Sequence, residues 1–215
     1  MAKFETLEIA GWESAIYGMR NPLKSWNKSD SYINLEDEFI IGKNDYKLIQ
    51  SLINAGTEHR KFLRQIQVWV SIDAPRFFWN EWDTYKIGTS ANSTSTMHTL
   101  LNEELTEENF EWPSFDNADW DIQAAFRDYI NTLNTILDRA KQEPTLQSYY
   151  LNIIKSMLPE SFLQTRTINL NYEVLNNMYH QRKNHRLPQW REDFVSWVNT
   201  LPYNEFITGI WPNEK

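Results

Sequence analysis

The stretch QIQVWVSID, residues 65–73, alternates polar and apolar side chains and is rich in β-branched and aromatic residues. This alternation predicts a strand with one buried face. The aromatic run Arg76–Trp82 follows Ala74-Pro75 and predicts a helix, because proline is tolerated in a first helical turn. A weaker strand is expected over Phe4–Ile9, so the first half of the chain supplies a small sheet.

The second half of the chain is predicted to be mainly helical. Apolar residues recur at helical spacing in six segments of the whole chain: 12–20, 44–55, 122–140, 145–157, about 167–185 and 190–201. The sequence shows neither an internal repeat nor an interdomain linker. We therefore expect one α/β (α+β) domain spanning residues 1–215, in which a small sheet packs with a helical bundle.

Composition excludes several kinds of chemistry. The chain has no cysteine, which excludes disulfides, cysteine-ligated zinc, iron–sulfur clusters and a thiol nucleophile. Its six glycines make a glycine-rich nucleotide loop improbable, and its four histidines form neither an HExxH motif nor a close pair. We expect no metal site. No stretch approaches the ~20 apolar residues of a membrane span, and the first residues lack a signal pattern, so a cytoplasmic protein is expected.

The net charge of −8 comes from one region. Eight acids and no lysine or arginine lie between Thr99 and Phe126, which leaves 29 − 8 = 21 acids against 21 bases elsewhere. A solvated loop and helix start is the common interpretation of such a block, and a metal site or a basic partner is the rarer one. Neither nucleic acid nor a membrane is expected as a partner, because no basic face is visible.

Two segments could contribute to a ligand site. The stretch 88–98 is rich in Ser and Thr, whose hydroxyls and backbone N–H groups suit a phosphate, although composition alone also fits a surface loop. At 100° per residue, Asn171, Arg182 and His185 share a helix face with two apolar residues. A buried Arg182 needs a carboxylate, a phosphate or a pyrimidine edge, so a structural ion pair and a ligand contact both stay open.

The spacing of Leu158-Pro159, Asn171, Asn177 and Arg182 resembles the C-terminal signature of flavin-dependent thymidylate synthases. Lys155 stands three residues before the Leu-Pro pair, where that family has an Arg, and Gln189-Trp190 follows. Upstream, Glu58-His59 precedes the strand, as a Glu-His pair does in the family.

Residues 85–98 are similar to the family motif RHRxxSxNExSxRY, with Ser90, Asn92 and Ser95 on its Ser, Asn and second Ser. The motif's other named positions differ. Arg-His-Arg is Tyr85-Lys86-Ile87, the Glu is Ser93, and the final Arg-Tyr is Met97-His98. Two residues after Asn171, where the family has an Arg, the chain has Glu173.

The resemblance implies an enzyme that transfers a one-carbon unit from methylene-tetrahydrofolate to C5 of dUMP or a related pyrimidine nucleotide. It implies FAD as cofactor, NADPH as co-substrate and a homotetramer with active sites between subunits. It also implies Arg182 as the catalytic residue, Ser93, Ser95, Lys155 and Arg182 as substrate-binding residues, and Lys86, Asn92, Asn171 and Asn177 as cofactor-binding residues.

Two other hypotheses compete with this one. A non-catalytic descendant of the same fold would keep nucleotide binding alone, and the replaced Arg-His-Arg favours it. An interaction protein would instead use its acidic block, residues 103–121, to meet a basic partner.

Overall fold

The computed structural model describes residues 1–112 and 119–212. The strands are β1 (Lys3–Ala10), β2 (Tyr32–Ile33), β3 (Phe39–Ile40), β4 (Gln67–Pro75), β5 (Ser90–Ser93) and β6 (Leu163–Asn171). Four of them form one sheet in the order β1-β4-β6-β5, and β2 pairs with β3 as a short antiparallel ribbon with Tyr32 opposite Ile40.

The helices in the described parts of the chain are α1 (Trp12–Met19), α2 (Lys43–Asn54), α3 (Arg76–Trp82), α4 (Thr96–Thr99), α5 (Trp120–Gln142), α6 (Gln147–Met157), α7 (Tyr172–Arg182), α8 (Val195–Thr200) and α9 (Glu205–Thr208). Short 3₁₀ turns connect several of them, and a π-helical turn, Gln189–Phe194, leads into α8. No helix in the described residues is long and apolar enough to cross a membrane.

The strand predicted over 65–73 is confirmed as β4, two residues further along the chain. Its side chains alternate in burial, and Val68, Val70 and Ile72 are completely buried. Removing such a side chain from water contributes about 1.5–3 kcal/mol. The alternating sequence pattern therefore marked the buried face correctly.

The helix predicted from about residue 167 is wrong at its N-terminal end. Residues up to Asn171 belong to strand β6, and α7 begins only at Tyr172. Thr165, Thr167 and Ile168 are β-branched and stiff at χ1, which favours the strand, and burial in the sheet outweighs the local helical spacing.

The polar stretch predicted as a possible loop contains β5 and the one-turn helix α4. All four residues of β5 are exposed, and the strand order puts β5 at an edge of the sheet. An edge strand with no buried side needs no apolar residues, which explains why hydrophobic periodicity did not reveal it.

The contacts divide the chain into two compact units. The first comprises residues 1–3, 72–84 and 92–166, and its core lies between α5 and α6 around Leu133 and Ile154. The second comprises residues 4–71, 85–91 and 167–215, and its core includes the fully buried Tyr172, Trp190 and Phe206. The single-domain prediction from sequence stays a prediction.

Candidate functional site

The first unit contains a pocket of about 290 Å³ with three cationic side chains in its lining. We name it the cationic pocket. Its lining residues are Arg76, Trp79, Asn80, Thr96, Lys155, Leu158, Phe162, Gln164 and Arg166.

Arg166 is held against an aromatic wall of the cationic pocket. Its guanidinium carbon lies 4.3 Å from the ring centre of Trp79, a cation–π contact. Its Nη1 donates to Asp83 Oδ1 at 2.7 Å, and its Nε donates to Gln164 Oε1 at 3.2 Å. Trp79 is itself anchored, because its indole N–H donates to the backbone oxygens of Ala74 and Gln164. The orientation of Arg166 is therefore fixed before any ligand binds.

Arg76 and Lys155 bring further positive charge to the cationic pocket. Arg76 opens α3, and its Nη1 donates to the backbone oxygen of Leu158 at 3.2 Å. Lys155 is an exposed residue in the last turn of α6. Within residues 1–112 and 119–212, neither side chain has an acidic partner within ion-pair distance. Two positive charges thus remain to attract an anion.

The structure places the predicted substrate-binding residues unevenly. Lys155 lines the cationic pocket, whereas Ser95 does not, although its neighbour Thr96 does. Ser95 precedes α4 and its backbone oxygen accepts from the N–H groups of His98 and Thr99, while Ser93 is exposed in β5.

Sequence reasoning missed Arg76 and Arg166. The first follows the Ala74-Pro75 break at a predicted strand-to-helix junction, where side chains often converge. The second stands in the β-branched run of β6, and recognising that run as a strand would have revealed it.

The second unit holds the predicted catalytic Arg182, the last residue of α7. Its Nε donates to the phenol oxygen of Tyr85 at 2.7 Å. Its guanidinium carbon lies 5.0 Å from the ring centre of Trp190 and 5.4 Å from that of Tyr85. Arg182 is half-buried, and its contacts include these two aromatic rings and the hydrogen bond to Tyr85. We name Tyr85, Gln181, Arg182 and Trp190 the Arg182 cluster.

A chain of hydrogen bonds leads from the Arg182 cluster to another predicted residue. The Tyr85 hydroxyl donates to Gln181 Oε1 at 2.9 Å, and Gln181 Nε2 donates to Asn177 Oδ1 at 2.9 Å. Arg182 and Asn177, which the resemblance assigns to substrate and cofactor, are thus connected through two intervening side chains.

Asn171 has a structural function at the start of α7. Its Oδ1 accepts the backbone N–H of Val174 at 3.0 Å, an N-cap hydrogen bond, and the residue is buried. Gly88, with φ at +75°, packs close by, since a Cβ there would lie 3.2 Å from Asn171 Nδ2. Glu173 pairs with Arg60 at 2.9 Å, so the acid at the family's Arg position is neutralised within the fold.

The second unit contains a cavity of about 1000 Å³ beside the ends of α1 and α2. We name it the α1–α2 cavity. Its apolar lining includes Met19, Leu48, Leu52 and Phe62, and its polar lining includes Lys24, Lys28, His59 and Lys61. Of the polar residues named here, sequence reasoning singled out only His59.

A buried carboxylate fixes the wall of the α1–α2 cavity. Asp45 in α2 is fully buried and accepts from Arg20 Nε at 2.6 Å and from the hydroxyls of Ser29 and Ser31 at 2.6 Å each. Two backbone N–H groups, of Asp30 and Ser31, complete its five hydrogen bonds. Burial by itself would raise the pKa of the Asp45 carboxyl, but hydrogen bonds from Ser29, Ser31 and Arg20 lower it below the ordinary value.

The acidic block is partly neutralised within the first unit. Glu107 pairs with Arg127 at 2.5 Å, and the buried Glu111 contacts the amino group of Met1. Asp116 lies outside the described residues. In the part of the chain that the structure describes, no three acidic or histidine side chains converge where a metal ion could bind.

Comparisons with known proteins bear on the fold. No family model and no curated protein sequence matches the chain. Among solved structures, thymidylate synthase X (ThyX) from Helicobacter pylori with FAD and dUMP is similar, with a TM-score of 0.71 and 17% identity over 97% of this chain and 98% of that one. The chain has the fold of flavin-dependent thymidylate synthases. The predicted fold class is confirmed.

Two further solved structures share this thymidylate synthase fold. Another ThyX complex from H. pylori, also with FAD and dUMP, gives a TM-score of 0.68 and 16% identity over 98% of this chain and 100% of that one. The UMP/dUMP methylase PolB from Streptomyces cacaoi, bound with 5-Br dUMP, gives a TM-score of 0.59 and 14% identity over 98% of this chain and 96% of that one.

Within this fold the predicted cofactor-binding residues occupy different environments. Lys86, Asn92 and Asn177 are exposed, whereas Asn171 is buried as the helix cap. None of the four lines the α1–α2 cavity.

Proposed function

We propose that this protein binds a pyrimidine nucleoside monophosphate and transfers a one-carbon unit to C5 of its base. The observation that carries the proposal is the cationic pocket, with two arginines and a lysine and with two of these charges unpaired in the described chain. Solved structures of the same fold were obtained with dUMP or 5-Br dUMP, which supports a nucleotide of this kind.

The cationic pocket would bind the phosphate group of a nucleotide. A guanidinium offers a planar fork of N–H donors that matches two phosphate oxygens, and a lysine adds a compact charge. Arg76 and Arg166 would supply the forks and Lys155 the charge. Ser93 and Ser95 remain proposed phosphate donors through their hydroxyls.

As a separate proposal, which rests on the resemblance, Arg182 would contact a pyrimidine base. A guanidinium facing the pyrimidine carbonyls stabilises negative charge there, and this charge makes C5 nucleophilic. The contacts with Tyr85 and Trp190 hold Arg182 before the substrate arrives, so little reorganisation is needed when charge develops.

The residues of the α1–α2 cavity fit a flavin cofactor. The cavity is large enough for a dinucleotide, its apolar side chains suit a planar ring system, and Lys24, Lys28 and Lys61 suit a diphosphate. FAD, when bound, supplies the reducing equivalents, with NADPH as their source and methylene-tetrahydrofolate as one-carbon donor. The exposed Lys86, Asn92 and Asn177 remain proposed flavin donors, together with the amide nitrogen of Asn171.

The proposal includes a homotetramer, which rests on the resemblance alone, and the cytoplasmic location that is expected from the sequence. The high aromatic content, 14% of residues, is compatible with large interfaces between copies.

A second function is favoured by one observation. Tyr85 replaces the first Arg of the family motif and engages Arg182, and Lys86 is the single lysine or arginine in residues 85–98. A non-catalytic protein that only binds the nucleotide would tolerate this loss of cofactor contacts.

One experiment separates the two functions. Purified protein is titrated with dUMP, and tritium release from C5-tritiated dUMP is then measured with FAD, methylene-tetrahydrofolate and NADPH. Binding with tritium release supports the enzyme, and binding without release supports the nucleotide-binding protein. Absence of both overturns both proposals. The FAD site needs a separate measurement. Flavin absorbance retained after incubation with FAD is compared between a variant with Lys24 and Lys28 replaced by Ala and the variant Lys86→Ala. The variant that retains less flavin identifies the lysines that bind FAD.

A further inference from the structure

Tyr85 bridges two consecutive residues at the end of α7. Its phenol oxygen accepts the Nε–H of Arg182 at 2.7 Å and gives its own proton to Gln181 Oε1 at 2.9 Å. A phenol has one proton to donate, so the bond to Gln181 orients the oxygen lone pairs toward Arg182. The direction of both hydrogen bonds is therefore set.

Aromatic rings restrict Arg182 on two further sides. The ring centre of the fully buried Trp190 lies 5.0 Å from the guanidinium carbon, and that of Tyr85 lies 6.2 Å from the ring centre of Trp190. Trp190 is fixed by the core, and the hydrogen bond at Nε further restricts rotation of the guanidinium. The Tyr85 hydroxyl is thus one of the groups that restrict this rotation.

We infer that Tyr85 is a positioning residue for Arg182 in recognition of the pyrimidine base, and this inference rests on the proposed function. Tyr85 holds Nε, which keeps the plane of the guanidinium in one orientation. A neutral phenol does this without repelling Arg182, whereas a cation in its place would put two like charges side by side. The tyrosine at this position of the motif therefore has a function of its own.

The test uses Tyr85→Phe, which removes the hydroxyl and keeps the ring. The affinities for dUMP and for 2-deoxyribose 5-phosphate, which has no base, are measured by calorimetry on the wild-type protein and the variant. We expect dUMP affinity to fall about five- to tenfold, the effect of one lost hydrogen bond, with base-free phosphate unchanged. Equal loss for both ligands, or no loss for either, would overturn the inference.

A double-mutant cycle shows whether Tyr85 acts through Arg182. In an Arg182→Ala background, Tyr85→Phe should no longer change dUMP affinity. An undiminished effect there contradicts the inference. Tyr149→Phe, at a tyrosine exposed on α6, is the matched control and should change neither ligand's affinity.

A nucleotide-free readout separates this inference from the proposed function. The Nε–H signal of Arg182 in a ¹⁵N NMR spectrum should be protected from exchange in the wild-type protein and exposed in Tyr85→Phe. An unprotected wild-type signal overturns the inference even if dUMP binds. If the signal is protected and dUMP does not bind, the proposed function fails, and the role of Tyr85 in base recognition fails with it.

Discussion

The phenol oxygen of Tyr85 lies 2.7 Å from Nε of Arg182, and this contact joins the two segments in which the resemblance to flavin-dependent thymidylate synthases is found. Tyr85 begins the stretch that matches the RHRxxSxNExSxRY motif, and Arg182 ends the C-terminal signature. The first segment has a phenol where the motif has a cation, and the second segment has a cation, Arg182, where the signature has one. The hydrogen bond joins these two positions within the fold.

The cationic pocket should lose phosphate affinity when its charges are removed. Arg166→Ala and Lys155→Ala are each expected to weaken dUMP binding by about 1.5–3 kcal/mol, the contribution of a hydrogen bond to a charged group. Calorimetry with dUMP measures this. Lys141→Ala, at an exposed lysine in the last turn of α5, is the matched control. If Lys155→Ala and Lys141→Ala weaken dUMP binding equally, the effect comes from the loss of a positive charge anywhere on the protein and not from the cationic pocket.

The hydrogen bonds of Asp45 should be a major source of stability. Asp45→Asn breaks a buried ion pair with Arg20, so unfolding is expected to need about 3–5 kcal/mol less free energy. Ser29→Ala removes one hydrogen bond and should cost about 1 kcal/mol. Urea denaturation measures both. A loss for Asp45→Asn no larger than that for Ser29→Ala would contradict the central position of the carboxylate.

The stabilisation by Asp45 should also depend on pH. Its pKa is lowered in the folded protein below the reference value of 3.8. The contribution is therefore complete above about pH 4 and is lost as the pH falls through the lower folded-state pKa. The stability difference between wild-type protein and Asp45→Asn should shrink between pH 7 and pH 3, measured by denaturation at each pH. A constant difference would contradict the direction of the shift.

Two glycines with positive φ should respond differently to alanine. Gly11 has φ +92°, and a Cβ there would lie 2.2 Å from the backbone oxygen of Gln65, whereas Gly209, with φ +70°, has open space. Gly209→Ala should cost about 1–2 kcal/mol for the left-handed conformation alone. Gly11→Ala must also displace backbone and should cost more, measured by thermal unfolding. Similar losses at the two positions would contradict the close approach at Gly11.

Asn171 allows a test of its capping function. Asn171→Ala should destabilise the protein by about 1 kcal/mol, because the N–H of Val174 loses its acceptor. Asn171→Asp keeps an acceptor and should be nearly neutral for stability in thermal unfolding. If both variants fold as well as wild-type protein but lose flavin absorbance, ligand contact rather than capping is the function of this residue.

The sequence predicted those strands and helices in which the spacing of apolar residues follows a buried face. β4 and α5 each have one buried face, so alternation and the helical stripe located them closely. The start of α7 was misplaced because β6 runs directly into it. Asn171 is both the last residue of β6 and the N-cap of α7. β5 was missed because an exposed edge strand has no apolar pattern.

The candidate site was less predictable because it depends on tertiary contacts. Lys155 came from the resemblance, but Arg166 joins it only through the stacking on Trp79 and the pairing of β6 within the sheet. The α1–α2 cavity depends on the loop that Asp45 holds in place, and an acid in a helical stretch does not signal burial. The spacing of Lys24, Lys28 and Lys61 in the sequence therefore could not predict that they line one cavity.

The most direct test of the proposed function is a calorimetric comparison of dUMP with deoxyuridine on the wild-type protein. The two ligands differ only in the phosphate, whose proposed partners are Arg76, Lys155 and Arg166. We predict that dUMP binds at least about 100-fold more tightly, equivalent to roughly 2.7 kcal/mol or more, and that added salt weakens it. Equal affinities, or no binding of dUMP, would contradict the assignment of the cationic pocket as a phosphate site.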